Sequence, residues 1–163
     1  LKRSASSQAE SREGTRYLSF HLATETYAFE LSRVREVIAL GELTNVPFMP
    51  PHFRGIMNLR GRIVSVVDAR VKIGMPFLAP QSESAIIIVD FPESVLGVAV
   101  DTVDSVFSAT SDELDSAPEL RSHSRVQYLK GIVHRHERLL MVIDVDKLLH
   151  SDVEISKEQR ETA

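Results

Sequence analysis

The chain contains no cysteine, which excludes a disulfide framework, thiol catalysis and thiolate-ligated zinc. It has only seven glycines, and none falls in a GxxxxGK[ST] or GxGxxG phosphate loop or a GxSxG nucleophile elbow. Apolar runs extend over only a few residues, far short of the roughly 20 that a membrane span requires. No signal-peptide pattern opens the chain. Charge of one sign is also lacking. The 19 Lys+Arg and 23 Asp+Glu leave a net −4, with no basic run dense enough for a nucleic-acid or anionic-membrane footprint. These absences together lead us to expect a soluble protein of a reducing cytoplasm.

What is present suffices for a core. A globular chain of 163 residues with 43% hydrophobic content buries roughly 68–70% of its unfolded surface and needs no metal staple. Residues 1–14 are polar, charged and aperiodic, and are expected to form a disordered arm. Residues 151–163 form a polar tail able to extend a helix through SKEQR. Between them the pattern is strand-like: Leu18, Phe20 and Leu22 alternate with more polar neighbours, the signature of a half-buried strand. Residues 27–31, 63–67, 85–89, 97–100 and 139–143 are further short aliphatic or β-branched runs. Many short strands and few helical stretches indicate barrels or a sandwich.

The chain also repeats itself. Residues 53–73 (FRGIMNLRGRIVSVVDARVKI) match residues 129–149 (LKGIVHRHERLLMVIDVDKLL) without a gap, 76 positions apart. Gly55 falls on Gly131, Arg62 on Arg138, Val66 on Val142 and Asp68 on Asp144. Upstream, residues 28–38 match residues 97–107 at an offset of 69. The difference is an acidic, Ser/Thr-rich insertion in the second copy, expected to be an exposed, mobile loop over residues 108–119. Two copies of a five-strand unit imply two small barrels. Neither has a comfortable core alone, so they should pack face to face around a third apolar region.

Reactive chemistry is hard to find. His134-Arg135-His136-Glu137 tempts a metal assignment, but no further ligand stands at a convincing spacing, and the repeat aligns it with the hairpin turn Asn58-Leu59-Arg60-Gly61. A solvated polar turn is the better reading. Asp68 and Asp144 sit at equivalent strand ends, where they serve as caps for short helices at 69–73 and 145–149. A role that occurs once per repeat is structural, and nothing calls for catalysis, a cofactor or a metal. The two arginines around Gly61, which supplies the positive φ of a tight turn, stand out instead. Arg60 can pair within the chain, with Glu36 the best candidate and Glu30 and Asp68 competing, or it can reach a partner carboxylate bidentately.

At these residues the sequence resembles the CheW family of chemotaxis adaptors. YLSFHLATETYAFELSRVREVI is similar to its opening strands, and FRGIMNLRGRIVSVVDARVKIG to its G-x-x-N-L-R-G-x-I-x-[PS]-V-x-D signature. GVAVDTVDSVF and residues 128–149 are similar to the second half. Ser65 replaces a usual Pro, and Ala69 a usual Leu. The resemblance implies a mainly β fold of two SH3-like five-stranded β-barrels around a shared core, with short helices, in one domain at 15–150 divided into about 15–80 and about 81–150. It implies a non-enzymatic adaptor at receptor arrays beneath the inner membrane. Its partners would be the cytoplasmic tip of a methyl-accepting chemoreceptor and the regulatory domain of a CheA-type histidine kinase. The partner-binding residues it implies are Arg60 and Glu36, with Val34, Gly55 and Asn58 nearby. Runners-up are a CheW-like domain excised from a CheA kinase and a CheV-type adaptor, the latter disfavoured because no phosphate-receiving domain follows Leu149. A small metal-dependent enzyme is the remote alternative. Because residues 1–14 have no apolar face to bury, their removal should leave the melting temperature nearly unchanged, and a drop of several degrees would show that the arm docks.

Overall fold

A computed structural model describes residues 14–116 and 126–161 of the chain; the expected N-terminal arm lies outside them apart from Gly14. The alternating and β-branched segments form eleven strands among the described residues. In the first half these are β1 (Thr15–Leu22), β2 (Glu25–Glu30), β3 (Val34–Ala39), β4 (Phe53–Leu59) and β5 (Arg62–Asp68), followed by a short helix α1 (Ala69–Lys72). The second half supplies β6 (Ala85–Asp90), β7 (Val95–Val100), β8 (Thr102–Ala109), β9 (Leu114–Asp115), β10 (Leu129–Arg135) and β11 (Arg138–Ile143), and ends in helix α2 (Val145–Glu161). The fold is mainly β, as the pattern of short strands indicates.

The strands make two sheets, ordered β8-β1-β2-β11-β10-β9 and β3-β6-β7-β5-β4. Both run open from edge to edge, without the hydrogen bonds that would close a full barrel. The duplication is visible in them strand for strand. Replacing β3, β6, β7, β5 and β4 by their repeat counterparts β8, β1, β2, β11 and β10 turns one order into the other. The registers agree as well: Val37 pairs with Ile87 where Val106 pairs with Leu18, and Ser65 with Leu96 where Met141 pairs with Tyr27. Both long hairpins carry a bulge at the same place, between Phe53 and Gly55 and between Leu129 and Gly131.

The sheets nevertheless do not divide the chain near residue 80. Hairpin β1–β2 leaves the first half to pair with β8 and β11, and β6–β7 joins β3 and β5. Each barrel thus combines three strands of one repeat with the first hairpin of the other. The physical reason lies in what the exchanged hairpins bury. Along β1, Tyr17 faces one cluster with Ala28, Val133, Leu140 and Val142, while Leu18, Phe20 and Leu22 face another. Along β6, Ile86 and Ile88 join Val64, Val66 and Ala99, while Ile87 and Val89 face the same cluster as Phe20. Two clusters are the barrel interiors. The third, holding Phe20, Phe29, Ile87, Val98, Leu148 and Leu149 with residues of both sheets, is the shared core. Strand β1 is therefore buried on both faces rather than half-buried, because its second face closes a barrel instead of meeting water.

Both strand-end aspartates cap helices: Val71 N–H donates to Asp68 Oδ1 at 3.2 Å and Lys147 N–H to Asp144 Oδ1 at 3.1 Å. The polar tail is helical, as SKEQR allows, and α2 runs through it to Glu161. The expected mobile loop is more ordered than its composition suggests. Ala109 is buried, a capping box joins Thr110 and Glu113, and β9 pairs with β10; residues 117–119 lie outside the described residues. Strand β9 is held because it covers Gly131, whose missing side chain admits Asp115 O and Leu114 to within 3 Å of where a Cβ would stand.

Helix α2 is fixed to the sheets by its apolar face and by one buried ionic group. Asp152, 3% exposed, accepts from His52 Nε2 at 2.5 Å and pairs with Lys72 Nζ at 2.8 Å. Burial alone would push the Asp152 carboxyl up, but the hydrogen bonds and charges of His52 and Lys72 reverse this and hold it below the usual carboxylate value. Breaking a buried pair strands the remaining charge. Asp152→Asn should therefore cost about 3 kcal/mol at neutral pH in denaturant unfolding. A lowered folded pKa stabilises above the unfolded value and is lost as pH falls through the folded one. Wild-type stability should therefore decline from about pH 4 downward more steeply than that of the variant.

Candidate functional site

At one end of the β3–β7 barrel the chain turns from β4 to β5 in two residues. Arg60 and Gly61 both have positive φ, 52° and 85°, the type I′ geometry that matches the twist of paired strands. Asn58 Oδ1 accepts the Gly61 N–H at 2.8 Å and locks the turn. The turn throws the Arg60 guanidinium across to β3, where it donates to both oxygens of Glu36 at 2.7 and 2.9 Å. Glu30 and Asp68, the competing partners, are taken elsewhere: Glu30 pairs with Lys130, and Asp68 accepts from Arg54 at 2.8 Å. Because β3 and β4 are the two edges of their sheet, the Arg60–Glu36 pair bridges the open seam of the barrel.

The pair is solvent-facing, with 75% of the Arg60 side chain exposed against 21% of Glu36. Around it Arg35, Leu59, Arg62 and Ile63 line a shallow hollow of about 140 Å³. Ile63 is a large apolar side chain exposed in this hollow, and Val37, the residue after Glu36 on β3, is exposed as well. Sequence reasoning did not pick these two out. Little in the sequence marks Ile63, because Ser65 and Val67 share its phase of β5 and are buried; its place beside the turn leaves it exposed.

The expected partner residues do not form one cluster. Arg60, Glu36 and Asn58 meet at the barrel end. Val34, at the start of β3, packs half-buried against the shared core. Gly55 lies buried under Thr44, whose carbonyl oxygen would be 2.5 Å from a Cβ there, four residues before Leu59 at the other end of β4. The His134/His136 group resolves into strand and turn. His134 pairs with Leu139 in the ladder, and His136 has a φ of 46° at the turn, so the two rings do not share a strand face. Among the described residues no group of histidines and carboxylates is arranged to hold a metal ion, and no helix is long and apolar enough to cross a membrane.

The CheW-like domain model matches residues 16–153, which takes in both barrels and the start of α2. The chain belongs to the CheW-like family. Chemotaxis protein CheW of Klebsiella aerogenes is 32% identical over 139 residues, covering 85% of this chain and 84% of that one. The CheW of Bacillus subtilis is 28% identical over 144 residues, covering 88% and 92%. Among solved structures, the scaffolding protein TtCheW of Thermoanaerobacter tengcongensis superposes with a TM-score of 0.75 at 26% identity, covering 83% of this chain and 88% of that one. The CheW-like match thus spans the hollow beside Arg60 as well as the shared core.

The repeat offers an internal control on the turn. His136 and Glu137 occupy the positions of Arg60 and Gly61 with φ of 46° and 64°, so two side-chain-bearing residues sit in the left-handed region, at a cost of about 1 kcal/mol each. Replacing the pair with Asn-Gly should raise stability by about 1 kcal/mol in chemical denaturation, since that dipeptide prefers this turn. No gain would mean that other contacts offset the strain.

Proposed function

We propose that the chain is a non-enzymatic adaptor that couples the cytoplasmic tips of methyl-accepting chemoreceptors to the regulatory domain of a CheA-type histidine kinase, in arrays beneath the inner membrane. The barrel end carrying Arg60 and Glu36 is then a docking surface for one of these partners, with Asn58 setting its turn. Val34 and Gly55 mark the flank of the same barrel. The observation that carries the reading is energetic. A non-glycine residue at positive φ costs about 1 kcal/mol, and an exposed ion pair returns less than about 1 kcal/mol. Arg60 therefore contributes little to holding the fold. It presents a cation beside the exposed apolar side chain of Ile63, and arginine is enriched at protein interfaces.

Family membership supports the reading, and so does the relatives' description as chemotaxis and scaffolding proteins. The test is a double-mutant cycle on Arg60→Ala and Glu36→Ala, read once by melting and once by binding to a kinase regulatory domain and a receptor tip. Arg60→Ala should leave the melting temperature within a few degrees and weaken one of the two complexes by about one to two decades, the value of a partly buried charge-assisted contact. A normally folded Arg60→Ala protein that binds both partners like wild type would remove Arg60 from the docking surface. A large loss of thermal stability, partly restored by exchanging the two charges, would make the pair a structural latch.

A further inference from the structure

Among the described residues, the non-glycine positions with positive φ are Ala23, Phe48, Arg60, His136 and Glu137. Ala23, Arg60, His136 and Glu137 sit in hairpin turns between strands that pair directly. Phe48 does not. It lies in the long connection from β3 to β4, where Pro47 leads into a turn and Phe48 follows with a φ of 63°. The proline ring fixes its own φ near about −65°, and a positive φ at the next place calls for glycine or asparagine. A bulky side chain there is strained. Packing does not offset the strain, because Phe48 is fully exposed, at 104%.

The loop is held at both feet. Thr44 and Ile56 exchange two backbone hydrogen bonds of 2.9 Å, Phe53 N–H donates to Pro50 O at 2.9 Å, and Asp68 N–H donates to His52 O at 2.6 Å. The His52 ring is fixed in turn by Asp152. Residues 47–51 include Pro47, Pro50 and Pro51, so the phenyl ring stands on a stiff support and costs a partner little ordering. The antiparallel Thr44–Ile56 bridge sends the chain toward the Phe53 end of β4, and the Arg60 turn is at the Leu59 end. The two features are about 20 Å apart along the strand, at about 3.3 Å per residue.

The chemistry of this end selects the occupant. Residues 43–51 contain no charged side chain. The cations on β4 and α1, beside the loop, are each matched: Arg54 with Asp68 at 2.8 Å, Arg70 with Asp101 at 2.7 Å and Lys72 with Asp152 at 2.8 Å. A loop that enters an anionic lipid surface relies on unpaired basic residues around its apolar tip, so this arrangement fits a protein and not a membrane. A second exposed aromatic, Phe77, has its ring 4.5 Å from the Arg54 guanidinium carbon, and Leu78 after it is exposed as well. We propose that Phe48 anchors a second docking surface, inserting into an apolar hollow on the adaptor's other partner, the one not held at Arg60. An adaptor holds two proteins at once, so its surfaces must lie apart, and these two stand at opposite ends of one strand. The proposal rests on the reading of the chain as a two-partner adaptor and adds where the second partner docks.

The experiment compares Phe48→Gly, Phe48→Leu and Arg60→Ala in the full chain, by melting and by binding to a kinase regulatory domain and a receptor tip. Glycine suits the turn, so Phe48→Gly should melt at the wild-type temperature or a few degrees above it. The same variant should bind one partner at least about tenfold more weakly, the scale set by burial of one large apolar side chain, and that partner should be the one Arg60→Ala spares. Phe48→Leu keeps an apolar anchor and should stay within about threefold of wild type. A Phe48→Gly protein that binds both partners like wild type, or that loses the complex Arg60→Ala loses, would overturn the proposal. A melting temperature lowered by several degrees would overturn it too, since Phe48 would then support the fold. Wild-type flotation with phosphatidylglycerol/phosphatidylethanolamine vesicles that Phe48→Gly abolishes would make a lipid surface the occupant instead. Self-association in sedimentation velocity that Phe48→Gly abolishes would make it a second copy. A wild-type chain that binds neither partner would overturn the adaptor reading itself, whereas every failure at Phe48 alone leaves that reading and Arg60 standing.

Discussion

Everything in this fold depends on two hairpins being buried on both faces. Hairpins β1–β2 and β6–β7 each turn one row of side chains into a small barrel and the opposite row into the core between the barrels. Phe20, Phe29, Ile87 and Val98 have essentially no exposed surface, and truncating any one of the larger side chains to alanine removes about 3–5 kcal/mol of packing. Exchange of the hairpins between repeats couples the barrels through the backbone ladder as well as through the core. Neither barrel can open at its β2–β11 or β5–β7 pairing without exposing the shared cluster. Two interiors that are each too small become one cooperative unit.

Charged groups then fix what apolar burial leaves adjustable. Arg70 grips Asp101 with two contacts of 2.7 Å, and Asp101 also accepts the Ala23 N–H. Helix α1, the β7–β8 corner and the β1–β2 turn are thereby joined at one carboxylate. Burial would raise that carboxyl, but its hydrogen bonds from Arg70 and Ala23 hold it low. Arg33 does the same for the start of α2 by chelating Asp146 at 2.8 and 2.9 Å. In both pairs the guanidinium is largely covered, 14% exposed for Arg70 and 25% for Arg33, whereas the Arg60 cation projects into solvent.

Much of this was legible in the residues. Aliphatic alternation marked the strands, and the ungapped match between residues 53–73 and 129–149 marked the duplication. Asp68 and Asp144 announced helix caps, and Asn58 to Gly61 announced a two-residue turn. The exchange of hairpins was not legible, because a strand's own pattern says which residues are apolar and not which neighbour completes its ladder. The double burial of β1 was missed for a related reason: Tyr17 and Ser19 read as a solvent face until a second barrel is placed over them. The acidic composition around residues 110–115 hid β9, which is held by the space over Gly131 and not by any propensity of its own.

For the candidate site the division is similar. The local sequence by itself determined the turn, since Asn58 and Gly61 select a tight hairpin whatever surrounds it, and it determined that an arginine would sit at the tip. Sequence reasoning ranked Glu36 above Glu30 and Asp68 as Arg60's partner, but only the tertiary structure decided between them, because the pairing requires the two edge strands of one sheet to face each other across a seam. The tertiary structure also decided that the same seam in the other barrel would be spanned by Arg135, which donates to Ser108 O on β8. Local chemistry acts through residues close in the chain, where spacing fixes geometry. The meeting of edge strands follows from how both hairpins bury their faces, a property of the whole chain that no single segment carries.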